Sequence, residues 1–250
     1  MRLHNKSIII TGASSGIGAA AARLFAAEGA SLVLAARRET NLAMIAGEIA
    51  EAGGKAKWLA GDVTSEAYNK ALVDLAVSTY GGLDGAFNNA GTVGDMVPID
   101  EMDTDNWRHV IETNLTSAFL AAKHQIPAMK QRGGGSIVFT SSFVGHTAGT
   151  PAMGAYAASK AGMIGLTQVL AAENGRARIR VNALLPGGTR TDLAGDDPAF
   201  VEWVNSIHAL KRMAEPEEIA RAALFLVSDD ASFVTGSAML ADGGTSITNT

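Results

Sequence analysis

Ser7-Ile8-Ile9-Ile10-Thr11-Gly12-Ala13-Ser14-Ser15-Gly16-Ile17-Gly18 is the stretch whose reading decides the fold. A short run of β-branched residues gives way to a turn with three glycines. The turn opens into an Ala-rich segment that reads as a helix ending near Gly29. Glycines let the backbone bend sharply and approach a pyrophosphate, whose charge the amino end of the following helix favours. The spacing is not GxGxxG, so the placement between strand and helix carries the reading. Gly12, Ser14, Ser15, Gly16, Ile17 and Gly18 are therefore the expected dinucleotide contacts of this turn.

Outward from this turn the same alternation recurs. Ser31 to Leu34 is strand-like, and a helical stretch runs from about Glu39 to Ala52 before Gly53-Gly54. Lys55 to Ala60 and a helix through Val77 follow, then Leu83 to Phe87 ahead of Asn88-Asn89. Ser136 to Phe139, Ile179 to Leu184 and a last strand within Thr235 to Gly244 complete the pattern. Continuous apolar strands with helices between them predict a parallel sheet covered on both faces. Right-handed crossovers make it an α/β, doubly wound, Rossmann-type sheet of about seven strands. Residues 1–250 are expected to form a single domain. One segment breaks the rhythm: residues 187–212 lack a clean strand and carry Gly187, Gly188, Gly195 and Pro198. Its length predicts a substrate lid, with Phe200, Val201, Trp203 and Val204 on a short helix over a pocket.

Composition narrows the function. Hydrophobic residues make up 47% of the chain and charged residues 18%, which suits a large core and excludes disorder. The absence of cysteine rules out disulfides, thiolate-bound metals and a thiol nucleophile. It also suits a reducing compartment, and a cytoplasmic location is expected. A net charge of −5 argues against nucleic-acid partners, the basic clusters Lys130 with Arg132 and Arg176, Arg178 and Arg180 being read as solvated surface. No apolar run has the length of a membrane span, and the one within Met1 to Ile10 is too short for a secretory leader. No HxxxH pair occurs, so no catalytic metal is expected.

Two further patterns carry chemistry. The second strand ends in Ala35-Ala36-Arg37-Arg38, where NAD-binding folds usually carry an acid for the ribose hydroxyls. Without a carboxylate there, Arg37 and Arg38 can pair with a 2′-phosphate, which makes NADP(H) the preferred cofactor over NAD(H). Tyr156 and Lys160 lie four residues apart on one helix face. A nearby ammonium favours the phenolate, so Lys160 is expected to draw the Tyr156 pKa towards neutrality. Ser141-Ser142 follow the strand that ends at Thr140, at the carboxyl edge where open α/β sheets bind ligands. They lie outside any GxSxG elbow, so hydrolase chemistry is not indicated.

With these motifs in register the whole chain resembles the short-chain dehydrogenase/reductase family. TGxxxGxG is Thr11 to Gly18, NNAG is Asn88-Asn89-Ala90-Gly91, and YxxxK is Tyr156 to Lys160. The resemblance implies adenine contacts at Asp62 and Val63, and cofactor contacts at Asn89, Ala90, Gly91, Pro186, Gly187, Thr189 and Thr191. It implies a catalytic tetrad of Asn114, Ser142, Tyr156 and Lys160, with Tyr156 and Lys160 also touching the cofactor. Tyr156 would be the acid/base and Ser142 would orient the substrate oxygen. Lys160 would hold the nicotinamide ribose, and Asn114 would hold a water in a proton relay. Ser142 lies one residue farther from Tyr156 than in many members, which leaves Ser141 as the alternative. The resemblance also implies a homotetramer.

The expected reaction is reduction of a ketone to a secondary alcohol on a small, moderately hydrophobic substrate. Thr92, Val93, Met96, His146, Met153 and Trp203 are the candidate pocket residues. Two alternatives stand beside it. One is reduction of a 3-oxoacyl group on a carrier protein or CoA. It would use Arg190, Lys211 and Arg212 for docking, against Asp192, Asp196, Asp197 and Glu202. The other is a non-catalytic NADP-sensing protein, which would have little use for a complete tetrad.

Overall fold

β1 (Ser7–Thr11) is buried along its whole length because helices cover both of its faces. The structure is a computed structural model that describes residues 1–192, 194–195 and 197–248. In chain order, β1 is followed by α1 (Gly16–Ala27), β2 (Ser31–Ala36), α2 (Glu39–Glu51), β3 (Lys55–Ala60) and α3 (Glu66–Tyr80). β4 (Gly85–Asn88), α4 (Thr104–Ile111), α5 (Ser117–Arg132), β5 (Gly135–Thr140) and α6 (Gly154–Asn174) come next. β6 (Ile179–Pro186), α7 (Pro198–Ile207), α8 (Pro216–Val227) and β7 (Ala238–Ala241) complete the order. All seven strands lie in one parallel sheet of order β3-β2-β1-β4-β5-β6-β7. The strand order reverses between β1 and β4, which is where such sheets bind ligands.

Alternation along each strand divides the core into two layers. Ile8 and Ile10 point to a cluster with Phe25 of α1, Leu42 of α2 and Leu224 of α8. Ile9 between them points to the opposite cluster, with Leu72 of α3, Met129 of α5 and Met163 of α6. Leu32 and Leu34 against Val33 and Ala35 repeat the division in β2. Both faces are apolar, which is why these strands read as unbroken hydrophobic runs. Among the described residues, no helix is long and apolar enough to cross a membrane.

The sequence-based strands fall close to their expected places, with two shifts. β4 starts at Gly85 rather than Leu83, although the Asp84 amide still donates to the Ser7 carbonyl and its own carbonyl accepts from Ser136. The Asp84 carboxylate accepts from the Ser7 amide at 2.9 Å and from Arg132 Nε at 3.0 Å. β7 is shorter than Thr235 to Gly244, because side chains replace the ladder at its start. Val181 N–H donates to Thr235 Oγ1 and Ser237 N–H to Asn182 Oδ1, both at 3.1 Å.

Helix glycines offer a clean stability contrast. A Cβ at Gly18 would stand 2.1 Å from the Gly12 carbonyl oxygen, a backbone atom that cannot step aside. At Gly47, on the exposed side of α2, a Cβ meets nothing within 4 Å. Gly18→Ala should cost about 1–3 kcal/mol through overpacking, while Gly47→Ala should stabilise by about 0.4–1 kcal/mol. Thermal melts should therefore move in opposite directions; a Gly18→Ala protein that melts with the wild type would refute the close approach.

Candidate active site

A cleft of about 1080 Å³ opens along the carboxyl edge of the sheet, over the β1–β4 reversal. Small-molecule pockets usually measure about 300–1,000 Å³, so the space suits a dinucleotide and a substrate together. The glycine turn forms one end. Gly12 adopts φ +66°, and a Cβ there would press on the Ala90 backbone at 3.0 Å. Ser15 caps α1 without a side-chain hydrogen bond, so the first-turn amides are left to an anion. Gly12, Ser14, Ser15 and Ile17 line the cleft, whereas Gly16 and Gly18 act behind it by permitting close packing. These features fit a pyrophosphate.

Arg38 reaches across this turn. Its guanidinium donates to Ser15 Oγ at 2.6 Å and to Ser14 Oγ at 3.2 Å, and it lies 3.7 Å from the Asp192 carboxylate. Arg37, Asp62 and Val63 line the same end. The Thr64 backbone amide is the main group holding the Asp62 carboxyl below its usual range, and the Arg37 charge adds to it. Asn89, Ala90 and Gly91 form the floor. Thr11 Oγ1 accepts from the amides of Asn89 and Ala90 at 3.0 and 3.1 Å, which fixes that floor to β1.

At the other end stand Ser142, Tyr156 and Lys160. α6 places Tyr156 and Lys160 one turn apart, with Lys160 Nζ 5.5 Å from the centre of the Tyr156 ring. Lys160 is buried and donates to the Thr140 carbonyl at 2.7 Å. Ser142 Oγ accepts from the Val144 amide at 3.1 Å, and the Ser142 hydroxyl opposes the burial-driven rise of the Tyr156 pKa. Ser141 is turned away, its hydroxyl donating to the Lys160 carbonyl at 2.8 Å. Of the two serines, Ser142 is the one beside the tyrosine.

Burial governs the protonation of this group. It raises the Tyr156 pKa, against the opposing hydrogen bond from Ser142, rather than leaving it drawn towards neutrality by Lys160. The ammonium sits against the ring and the Thr140 carbonyl, and burial pushes Lys160 itself down to about 8. Asn114 stands behind the cleft wall in a π-helical segment, Glu112–Thr116, between α4 and α5. Its side chain accepts from the Thr92 amide at 2.8 Å and donates to Ser159 Oγ at 3.0 Å. Gly91 keeps it close to the lysine: a Cβ there would lie 3.1 Å from Asn114 Oδ1 and 3.3 Å from Lys160 Nζ.

Pro186, Gly187, Thr189 and Thr191 line the cleft beyond β6, followed by α7. Thr92, Val93, Met96, Met153 and Trp203 are in its wall as expected, but His146 is not, being exposed on the loop before α6. Asp196 lies outside the described residues. Two contributors escaped the sequence reading. Thr140 serves through its backbone carbonyl, which no residue type signals. His208 enters the wall from the end of α7, four residues after Val204, and no local pattern marks it.

Burying Lys160 has a measurable sign. An unfolded lysine titrates near about 10.4 and the folded one near about 8. Between these values the unfolded chain holds a proton that the folded chain lacks, so this group's contribution to stability rises with pH across that window. Below it, the penalty for burying the charge is present in full. Urea melts of wild type and Lys160→Met, stepped from about pH 7.5 to about pH 10.5, should show the wild type gaining on the variant as pH rises. Parallel curves would contradict the shift.

Comparison with known proteins agrees with this geometry. A family model described as enoyl-(acyl carrier protein) reductase matches residues 12–246. A 2,5-dichloro-2,5-cyclohexadiene-1,4-diol dehydrogenase of Sphingobium indicum is 45% identical over 249 residues, covering 97% of each chain. A cyclohexanol dehydrogenase of an Acinetobacter species is 39% identical, over 97% of this chain and 95% of that one. A short-chain type dehydrogenase/reductase from Mycobacterium marinum superposes with a TM-score of 0.94 at 36% identity, over 98% of this chain and 97% of that one. The chain belongs to the short-chain dehydrogenase/reductase family, whose members named here act as oxidoreductases on alcohol or ketone carbons.

Proposed function

We propose that the protein is an NADP(H)-dependent oxidoreductase that reduces a ketone to a secondary alcohol, reversibly, with Tyr156 as the acid/base. The observation that carries this reading is the meeting of Ser142, Tyr156 and Lys160 at one end of a cleft whose other end is a glycine turn braced by Arg38. The bound nicotinamide supplies the hydride, and the chain supplies alignment and a proton. Ser142 holds the carbonyl oxygen through its hydroxyl. Tyr156, kept protonated by burial, donates to that oxygen as the carbon is reduced. The acid form of the tyrosine is the form that ketone reduction requires. Lys160 and Asn114 hold the tyrosine side of the site in place, with a water relay as the further role their arrangement allows.

Arg38 supports NADP over NAD, since its donors lie at the phosphate turn with no carboxylate at the end of β2. The cleft wall includes the apolar Val93, Met96, Val144, Met153, Phe200 and Trp203. Two relatives are named for six-membered carbocyclic alcohols, and a compact alicyclic ketone suits this wall. Residues 187–212, with Phe200 and Trp203 paired 5.7 Å apart on α7, would serve as the lid. Carrier-protein docking gains little support, because Arg190 and Arg212 are paired with Glu215 and Glu218. A homotetramer belongs to the same proposal: Phe233 is fully exposed, and Phe119 and Val169 are half exposed on α5 and α6. Light scattering should return four times the chain mass.

The deciding experiment follows oxidation of NADPH and NADH over a panel of cyclic ketones, linear ketones and acyl thioesters, with wild type and Tyr156→Phe. Turnover of cyclic ketones, faster with NADPH and reduced at least about a hundredfold in the variant, is expected. Equal rates in the variant would remove Tyr156 from the mechanism. Preference for NADH would remove the role given to Arg38, and nucleotide binding without turnover would favour a sensing protein.

A further inference from the structure

His208 follows the end of α7 and is 1% exposed. Three glycines close around its ring. A Cβ on Gly187 would lie 2.7 Å from Nε2, one on Gly188 3.0 Å from Cε1, and one on Gly243 3.0 Å from Cδ2. Nothing larger than glycine fits these positions without moving the imidazole. Its Nε2 is 3.0 Å from the Gly188 amide, and its Nδ1 bonds the Val204 carbonyl.

The partners fix the protonation state. A backbone amide only donates and a carbonyl only accepts. Nε2 must therefore be the bare acceptor and Nδ1 the protonated donor, which is one neutral tautomer. We infer that neutral His208 is a positioning residue that ties the lid helix α7 to the Gly187–Gly188 segment of the cofactor cleft. The inference rests on the proposed reading that this segment borders the nicotinamide.

Among the described residues, no other hydrogen bond of this segment does this job. Gly187 N–H donates to the Ala241 carbonyl at 3.1 Å, and the Gly188 carbonyl accepts from the Ala214 amide at 2.9 Å. Both hold the segment to the sheet side and to the chain before α8. His208 alone among these joins it to α7. A second proton on Nε2 would face the Gly188 N–H donor to donor, in a place where burial denies either group water.

The charged neighbours do not take over the ring. On the β7 side the nearest acid is Asp242, whose carboxylate accepts from the amides of Gly244 at 3.0 Å and Ser246 at 2.8 Å. In the turn after His208, the Lys211 ammonium donates to the Ser206 carbonyl at 2.7 Å. The next residue, Arg212, is paired with Glu218. Val204 of α7 and Gly187–Gly188 present no charge to the ring.

The test uses the whole chain in three forms: wild type, His208→Gln and His208→Leu. Gln offers Gly188 an acceptor oxygen and does not titrate, whereas Leu offers none. Calorimetry would measure the NADP+ dissociation constant of each form at about pH 8, where a free imidazole is neutral. Wild type and His208→Gln should bind within about threefold of one another, and His208→Leu about tenfold more weakly. In parallel, hydrogen exchange of the 187–212 peptides without nucleotide should be faster in His208→Leu than in wild type and stay near wild type in His208→Gln. His208→Leu exchanging like the wild type would overturn the inference. Wild type binding no nucleotide would overturn the cofactor reading, and the exchange curves would still decide the role of His208.

Discussion

The hydroxyl of Thr11 accepts two amide protons, from Asn89 and Ala90, and so joins the end of β4 to the end of β1. These strands flank the point where the sheet order reverses, and their carboxyl ends must splay to leave a cleft. Splaying exposes backbone donors that no ladder can satisfy, and an orphaned buried amide is costly. One side chain with two lone pairs resolves both. The glycine turn on one side and the Asn89–Gly91 floor on the other then hold a fixed relation. Asn88 and Gln125 exchange two buried amide hydrogen bonds just below, which locks β4 to α5 from the other face.

Around this joint the sheet has no freedom to host polar chemistry elsewhere. Ile8, Ile9 and Ile10 are wholly buried, and so are their counterparts in β2 and β5, since both faces are packed. Polar reactive groups are pressed to the carboxyl edge, on loops and helix starts. Lys160 is the exception in burial and shows what that costs. An ammonium taken out of water with one carbonyl partner lowers stability at neutral pH. The fold carries this cost, and the gain is an ammonium held rigidly against Tyr156.

Much of this was legible in the sequence, and for identifiable reasons. Strands buried on both faces announce themselves as apolar runs, and the glycine turn follows from the need for close approach at Gly12 and Gly18. The arrangement of Tyr156 and Lys160 follows from helix spacing. Their protonation did not, because proximity in sequence suggested a charge effect while the structure shows burial to dominate. Asn114 was found only through resemblance. Its position depends on a π-helical segment, and no local pattern in Glu112-Thr113-Asn114-Leu115-Thr116 signals one extra residue in the turn. His208 was missed because a single histidine near a loop carries no signature, and its meaning comes from glycines twenty residues before it and thirty-five after.

The two ends of the cleft differ in how firmly they are built, and this bears on which properties of the enzyme can drift. At the tyrosine end the polar side chains interlock: Ser142 accepts from Val144, Ser141 donates to Lys160, and Asn114 accepts from Thr92 and donates to Ser159. Replacing one group strands another, so the chemistry is held by mutual dependence. At the far end Arg38 is half exposed and rests on two serine hydroxyls and a 3.7 Å contact with Asp192. Exposed ion pairs contribute about 0–1 kcal/mol each, so a preference for one nucleotide built there has a ceiling of a few such contacts. On the proposed reading, cofactor choice is separable from catalysis in this fold, because residue 38 lies at the end of the cleft away from Tyr156.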